Sequence, residues 1–211
     1  MANRKGLFLA FEGIDGSGKS VQARKISAEL NNRGINCILT AEPTDGLLGN
    51  RIKSEVSLSG AILNNMTLQI LFTADRSDHV NKTILPYLQR GFVVITDRYY
   101  WSTAAYGYAF GLDVDWLLKM NSIFPKPDIT FWFDVDPSIA ESRRQQRLLK
   151  QKIKVKRLEA NNVQKRVHRG YEMLASKYGK DGWHIVDAGK SIDEIFEEIM
   201  AVIEKKLEKL G

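Results

Sequence analysis

A short glycine-rich stretch near the N-terminus carries the clearest chemical signal in the chain. Residues 13–20, "GIDGSGKS", match the spacing G-x-x-x-x-G-K-[ST] at every fixed position. In such a loop the backbone N–H groups surround a polyphosphate, the lysine adds positive charge, and the final hydroxyl binds Mg²⁺. The stretch therefore predicts a nucleoside triphosphate site. Its predicted binding residues are Gly13, Ile14, Asp15, Gly16, Ser17, Gly18, Lys19 and Ser20.

This loop occurs in several classes of protein, and other residues narrow the choice. A guanine-binding Asn-Lys-x-Asp signature is missing, because the Asn81-Lys82 pair continues as Thr83-Ile84. No second apolar strand ends in a paired Asp-Glu, which disfavours a motor-type ATPase that activates water. A kinase of a small acceptor is therefore favoured over a switch GTPase or a motor.

Two further groups of residues suit a second ligand. Residues 97–99, "DRY", follow an apolar run; the arginine suits bidentate capture of a phosphate and the aspartate suits Mg²⁺ or its bound water. Phe72 and Arg76 lie four residues apart on a predicted helix, with Gln69 one turn earlier, so a ring and a guanidinium share a face. By itself the first pattern fits a surface ion pair equally well. By itself the second pattern is more often a core aromatic beside a surface arginine.

The elements that must position these residues are strands alternating with helices. Short apolar runs rich in β-branched and aromatic residues predict strands at 7–12, 36–40, 92–96, 129–135 and 184–187. Helices are predicted at 19–33, 65–90 and in the C-terminal segment that Ser191 caps. This order predicts an α/β fold with a doubly wound, five-stranded parallel sheet flanked by helices, in one domain over residues 1–211. Ligands of such sheets bind at the carboxyl ends of the strands, where the polar residues above converge.

Composition adds limits on partners and location. The chain has 31 Lys and Arg against 25 Asp and Glu, and residues 143–157 contain eight basic residues and no acid. That segment suits either a nucleic-acid patch or a phosphate-binding segment. No apolar run approaches the roughly 18 residues of a membrane span, and the N-terminus lacks a secretory pattern, so we expect no membrane partner and a cytoplasmic location. The single cysteine, Cys37, predicts a buried thiol.

Five segments together resemble one family. They are "FEGIDGSGKS" (11–20), "FTADRSDH" (72–79), "DRYYWSTAAYG" (97–107), "PKPDITFWFDVDP" (125–137) and "VDAGKSID" (186–193). In this order and spacing they resemble the thymidylate kinases, which transfer the γ-phosphoryl group of ATP to dTMP with Mg²⁺ and form dTDP and ADP, a step of dTTP synthesis. The resemblance covers residues 7 to 193 and implies a P-loop kinase fold with a small lid at about 143–158.

The resemblance also implies roles on the acceptor side. Phe72 would stack on thymine, Arg76 would reach O4, and Thr103 would bind the N3 edge. Arg98 would hold the dTMP phosphate, and Tyr106 would pack against the sugar. Asp15, an acid inside an anion-binding loop, would accept a hydrogen bond from the 3′-hydroxyl. The implied dTMP-binding residues are therefore Asp15, Phe72, Arg76, Arg98, Thr103 and Tyr106.

On the donor side the resemblance implies that residues around Asp187 and Ser191 border the adenine. Asp97 would join Ser20 in positioning Mg²⁺, directly or through water. The basic segment becomes the lid, and the implied catalytic residues are Lys19, Asp15, Arg98, Arg143, Arg147 and Arg157. Relatives often carry an arginine where this chain has Ala41, and Lys53 or Arg51 are its candidate replacements.

The resemblance further implies a homodimer, with ATP and dTMP as ligands and no nucleic acid. Two alternatives stay open at this point. One is a kinase of another nucleoside monophosphate or of a deoxynucleoside. The other, less favoured, is a nucleic-acid-binding P-loop ATPase that uses the basic segment.

Overall fold

The computed structural model describes residues 6–57, 62–151, 157–180 and 182–209. Its centre is one sheet of five parallel strands in the order β2-β3-β1-β4-β5. The strands are β1 (Leu7–Glu12), β2 (Cys37–Ala41), β3 (Val93–Asp97), β4 (Ile129–Asp134) and β5 (Trp183–Asp187). Each strand lies within one residue of its predicted bounds, and the predicted five-stranded parallel α/β fold is confirmed.

The central strand explains why this pattern folds as it does. All six residues of β1 are buried, including its final Glu12, because helices cover both faces of a parallel sheet. Strand β1 pairs with β3 on one side and β4 on the other, so that Phe11 stands opposite both Asp97 and Phe131. The carboxyl ends of the middle strands therefore meet at one edge of the sheet, as the strand pattern predicted.

Helices connect the strands and cover the sheet. They are α1 (Lys19–Asn32), α2 (Leu47–Ser57), α3 (Asn65–His79), α4 (Leu85–Gln89), α5 (Tyr100–Ala109), α6 (Val114–Asn121), α7 (Pro137–Gln151), α8 (Asn161–Tyr178) and α9 (Ile192–Glu208). Ser191 caps α9 in a capping box with Glu194, as predicted. Cys37 is buried, also as predicted. None of the helices within the described ranges is long and apolar enough to cross a membrane.

The long helix predicted at 65–90 is present but not uniform. Helix α3 passes into a π-helical turn, Val80–Ile84, and then into the short α4. Pro86 lies at the start of α4; it has no N–H to donate and its ring crowds the preceding turn, so the regular helical hydrogen bonds give way there. The structure therefore shows a widened turn just before this proline, where the sequence predicted one continuous helix.

Part of the predicted lid, residues 143–158, is described. Helix α7 carries it as far as Gln151, residues 152–156 lie outside the described residues, and a 3₁₀ turn, Arg157–Glu159, leads into α8. The side chain of Arg157 also lies outside the described part of the chain. The division into one domain with a lid stays a prediction.

Candidate active site

The phosphate loop joins β1 to α1, as its sequence pattern requires. Gly13, Gly16 and Gly18 have φ values of 144°, 91° and 95°, a region that side chains other than glycine rarely adopt. Gly16 is also confined by space, because a Cβ built there would stand 2.3 Å from the carbonyl oxygen of Ala140 in α7. The glycines of this loop therefore fix both its backbone turn and its close approach to α7, which carries part of the predicted lid and is called the lid helix below.

Lys19 lies inside the loop. Its buried side chain donates through Nζ to the carbonyl oxygen of Ile14 at 2.8 Å and to Ser17 Oγ at 3.3 Å. Burial and, after it, the neighbouring positive charge of Arg98 together lower the pKa of Lys19 to about 8, against the opposing effect of nearby carboxylates. A polyphosphate in the loop would supply the negative charge that keeps this ammonium protonated.

Ser20 and Asp97 form the pair expected at a Mg²⁺ site. Ser20 Oγ donates a short hydrogen bond to Asp97 Oδ2, although 77 residues separate them, because the phosphate loop and β3 end at the same edge of the sheet. Both groups offer oxygen, the ligand that Mg²⁺ prefers, and Mg²⁺ takes its other ligands from phosphates and water. Within the described ranges, no cluster of three or more His, Cys, Asp or Glu side chains could hold a metal ion by itself.

A cavity of about 640 Å³ opens above the phosphate loop. It is lined by Asp15 to Ser20 of the loop, by Asp97 and Arg98, by the start of α9 and by the lid helix. We call it the donor cavity. Ser191 lines it, as the resemblance implies, whereas the described lining does not include Gly13, Ile14 or Asp187.

The lid arginines approach the donor cavity from α7. Arg143 and Arg147 both line it. Arg143 donates through Nη1 to the carbonyl oxygen of Ala188 at 2.8 Å, and Arg147 donates through Nη2 to Glu159 Oε1 at 3.0 Å. Two of the predicted catalytic arginines thus stand beside the phosphate loop, each held by the protein.

Arg98 has an unusual backbone for a non-glycine residue, with φ at 75°. Its backbone N–H donates to the carbonyl oxygen of Phe11, and its own carbonyl accepts from Thr96 Oγ1. Its guanidinium donates to the Gly13 carbonyl at 3.1 Å, to Ser102 Oγ at 3.0 Å and to Asp15 Oδ1 at 2.5 Å. These bonds use three of the five guanidinium donors. The other two have no partner among the described residues, so they can donate hydrogen bonds to a further anion.

Asp15 is the ion-pair partner of Arg98. Its Oδ2 accepts from Gln164 Nε2 at 3.0 Å and from the Tyr106 hydroxyl at 3.4 Å, and its backbone N–H donates to Gln164 Oε1 at 2.8 Å. Burial acts to raise the pKa of Asp15, but the charges of Arg98 and Lys19 outweigh it and the pKa falls below its ordinary value. The carboxylate is therefore ionised. Asp15 lines a second cavity as well as the donor cavity.

This second cavity, of about 310 Å³, we call the acceptor cavity. All six residues predicted for the acceptor line it: Asp15, Phe72, Arg76, Arg98, Thr103 and Tyr106. Lys53 lines it too, whereas Arg51 does not and pairs with Glu55 instead. Relatives often carry an arginine at the position of Ala41. Of its two candidate replacements, Lys53 therefore lines the acceptor cavity and Arg51 does not.

Arg76 is held at one end of the acceptor cavity by a buried network. It donates to Glu42 Oε2 through Nε at 2.9 Å and Nη2 at 2.6 Å, to Asn121 Oδ1 at 2.5 Å and to Thr103 Oγ1 at 3.2 Å. Glu42 Oε1 also contacts His79 Nδ1 at 2.9 Å. Arg76 and Glu42 are buried, so the guanidinium is a positioned donor of the cavity wall rather than a surface arginine.

The sequence did not assign roles to three residues of the site. Buried Glu12 accepts from the backbone N–H groups of Tyr99 and Ser102 and from two hydroxyls, which fixes the turn that carries Arg98; burial raises its pKa. Gln164 bonds to Asp15, to Tyr106 and to the Leu158 carbonyl. Arg144, buried on α7, also lines the donor cavity. Polar residues with partners more than 80 residues away leave no local pattern, apart from the position of Glu12 at the carboxyl end of an apolar strand, where polar residues are expected to converge.

Comparison with known proteins agrees with this geometry. Residues 11–199 match the family model described as "Thymidylate kinase". The chain belongs to the thymidylate kinase family. A probable thymidylate kinase of Pyrococcus horikoshii is 37% identical over 96% of this chain and 98% of its own length. The corresponding protein of Thermococcus kodakarensis is 36% identical over 95% and 98% of the two chains. A thymidylate kinase of Desulfotalea psychrophila is 41% identical over 64% of this chain and 66% of its own.

Membership of the thymidylate kinase family confirms the resemblance seen in the sequence. The matched residues contain the phosphate loop, the turn with Arg98, helix α3 and the lid helix. They therefore include both cavities and the residues that separate them. The roles of individual side chains stay predictions, which the geometry above makes specific.

Proposed function

We propose that this chain transfers the γ-phosphoryl group of ATP to dTMP, with Mg²⁺, and forms dTDP and ADP. The observation that carries the proposal is that the two cavities meet and share lining residues. Asp15, Arg98 and Glu42 line both the donor cavity and the acceptor cavity, and Asp15 and Arg98 form an ion pair there. A triphosphate over the loop and a monophosphate in the neighbouring cavity would therefore meet at the ion pair.

On the donor side, the loop supplies backbone N–H groups and the ammonium of Lys19 to the β- and γ-phosphates. Ser20 and Asp97 are the residues that would hold Mg²⁺, which supplies positive charge to the phosphate oxygens and fixes their orientation. Ser191, at the N-terminus of α9, borders the position proposed for the adenine. Arg143 and Arg147 face the same space from the lid.

On the acceptor side, the two unused N–H groups of Arg98 would bind the dTMP phosphate beside the phosphate loop. Phe72 offers a ring for stacking on the base, and Arg76 and Thr103 offer polar atoms to its edge. Asp15 would accept from the 3′-hydroxyl, with Tyr106 against the sugar. Binding of dTMP would therefore explain why the phosphate loop contains the Asp15 carboxylate, which binding of ATP alone does not explain.

The transfer step needs little covalent chemistry from the protein. The phosphate of dTMP carries negative charge at neutral pH, so it can attack the γ-phosphorus without a strong base. The bond to the β,γ-bridging oxygen breaks as the new bond forms, and ADP leaves. Positive groups must then neutralise charge spread over the equatorial oxygens, and Lys19, Arg98 and the lid arginines Arg143, Arg147 and Arg157 are proposed for that task.

An acceptor panel tests this function directly. Initial rates of ADP release, with the product identified by chromatography, would be measured with dTMP, dUMP, dCMP, AMP and no acceptor. We expect the highest kcat/KM with dTMP and dTDP as product. A preference for another monophosphate would transfer the proposal to that acceptor, and ADP release that ignores the acceptor but responds to single-stranded DNA would indicate a nucleic-acid-dependent ATPase.

The predicted homodimer and cytoplasmic location are proposals as well. Two apolar side chains four residues apart on α3, Met66 and Ile70, are exposed by 50% and 43%, and Ile62, just before the helix, is exposed by 68%. We propose that a second copy covers this stripe. Sedimentation of the chain and of a Met66→Glu, Ile70→Glu double variant would test it: a dimer that becomes a monomer supports the stripe, and an unchanged mass contradicts it.

A further inference from the structure

One buried amide in the acceptor cavity has no partner. Gln69 on α3 is 1% exposed, and neither its Nε2 nor its Oε1 has a hydrogen-bond partner among the described residues. Its backbone carbonyl does accept from Thr73 Oγ1, as a helical carbonyl often does. Buried amides are normally hydrogen-bonded, so an amide with both ends unpaired needs an explanation.

The position of Gln69 points to a ligand. It lines the acceptor cavity together with Phe72 and Arg76. Spacings of three and seven residues place all three side chains on one face of α3. The unpaired amide of Gln69 thus lies on the same face of α3 as the ring and the guanidinium that are proposed to bind the base.

A base in this cavity needs a further hydrogen-bond partner, because most N–H donors of Arg76 already bond to protein groups. Arg76 uses four of its five N–H donors on Glu42, Asn121 and Thr103. The edge of a thymine or uracil base, in contrast, presents two carbonyl acceptors with an N–H donor between them. A side-chain amide has one acceptor and two donors, and so it complements adjacent carbonyl and N–H groups of that edge.

We propose that Gln69 is a base-recognition residue, whose amide hydrogen-bonds the polar edge of a 2,4-dioxopyrimidine in the acceptor cavity. The inference rests on the proposed function, because it assumes that this cavity receives the base of the acceptor. It adds a selective contact that the family resemblance does not supply. The contact involves the ring edge and not the 5-methyl group, so it applies equally to dTMP and dUMP.

The test replaces the amide with an apolar group of similar length. In Gln69→Met we expect KM to rise about tenfold for dTMP and by the same factor for dUMP, the effect of losing about one hydrogen bond. KM for ATP should stay within about twofold of the wild type. The melting temperature of the free protein should hold or rise by about 2–4 °C, because an unpaired buried amide has been removed. Gln89→Met, an exposed position on α4, is the matched control.

Three results would overturn the inference. Unchanged KM values for dTMP and dUMP would mean that the amide does not contact the base. A change for dTMP without one for dUMP would make Gln69 a packing neighbour of the methyl group. A lower melting temperature with equal losses for ATP and dTMP would make its role structural. A wild-type enzyme that does not phosphorylate dTMP would instead refute the proposed function, so the two failures are distinguishable.

Discussion

The substitution Asp15→Asn tests the junction of the two cavities, because it keeps the shape of the side chain and removes its charge. The Asn oxygen can still face Arg98, but its NH₂ group must then face Gln164 Nε2. In the wild type that Nε2 donates to Asp15 Oδ2 at 3.0 Å. Gln164 cannot simply rotate its amide, because its Oε1 accepts from the Asp15 backbone N–H at 2.8 Å. One hydrogen bond is therefore lost and the ion pair becomes a neutral contact.

The expected magnitudes follow from these contacts. Loss of one hydrogen bond costs about 1 kcal/mol. The ion pair with Arg98, whose side chains are 15% and 23% exposed, contributes about 0–1 kcal/mol after discounting for solvent. The free protein should lose about 1–2 kcal/mol of stability, or about 2–8 °C in melting temperature. A hydrogen bond from the 3′-hydroxyl to a charged acceptor is worth about 1.5–3 kcal/mol, so KM for dTMP should rise about 10- to 100-fold.

The assay compares dTMP with its 3′-deoxy analogue in both proteins. The wild type should prefer dTMP by about 10- to 100-fold in kcat/KM, and Asp15→Asn should prefer it by less than about threefold, since each change removes the same contact. Asp115→Asn, which alters an exposed ion pair with Lys177, controls for the substitution itself. If both proteins prefer dTMP over the 3′-deoxy analogue equally, Asp15 does not bind the 3′-hydroxyl.

Three other predictions concern charge and space around the site. The pKa of Lys19 is about 8, so kcat/KM for ATP should fall about tenfold per pH unit above pH 8, as the ammonium of the free enzyme loses its proton. Lys19→Arg should move this fall to higher pH. A flat pH profile up to about pH 9.5 would contradict the role of Lys19 in ATP binding. Glu42→Gln leaves the buried charge of Arg76 uncompensated and should cost about 3–5 kcal/mol in urea unfolding, whereas a wild-type midpoint would show that the pair is not buried. Gly16→Ala should weaken ATP binding measured by calorimetry, because its Cβ meets the Ala140 carbonyl at 2.3 Å; Gly34→Ala, with a similar φ and open space, should not.

Local patterns were sufficient to predict the fold. The strand runs gave all five strands to within one residue, because a strand buried on both faces needs a continuous apolar segment that is visible in the sequence. The phosphate loop was equally visible, because its glycines and lysine lie within eight residues. The predicted long helix was interrupted at residues 80–84, where the proline effect spreads into the preceding turn.

Beyond the phosphate loop, the roles of the site residues were predictable only where the family resemblance supplied them. Arg98 and Phe72 were weak signals by themselves, and the sequence could not show that Arg98 has a positive φ or that Asp15 is its partner. Gln164 lies 149 residues from Asp15, and such contacts follow from the packing of α8 against the loop. The lid is the least constrained part, because residues 152–156 and the side chain of Arg157 fall outside the described residues.

The most direct measurement of the central claim is a crystal structure with a bisubstrate compound, adenosine joined to thymidine through five phosphates. Its thymine should lie on Phe72 in the acceptor cavity, with the phosphates over the loop beside Asp15 and Arg98. Its adenine should lie beside Ser191 in the donor cavity. A thymidine half bound outside the acceptor cavity, or phosphates that bypass the ion pair, would contradict the claim that the two substrates meet there.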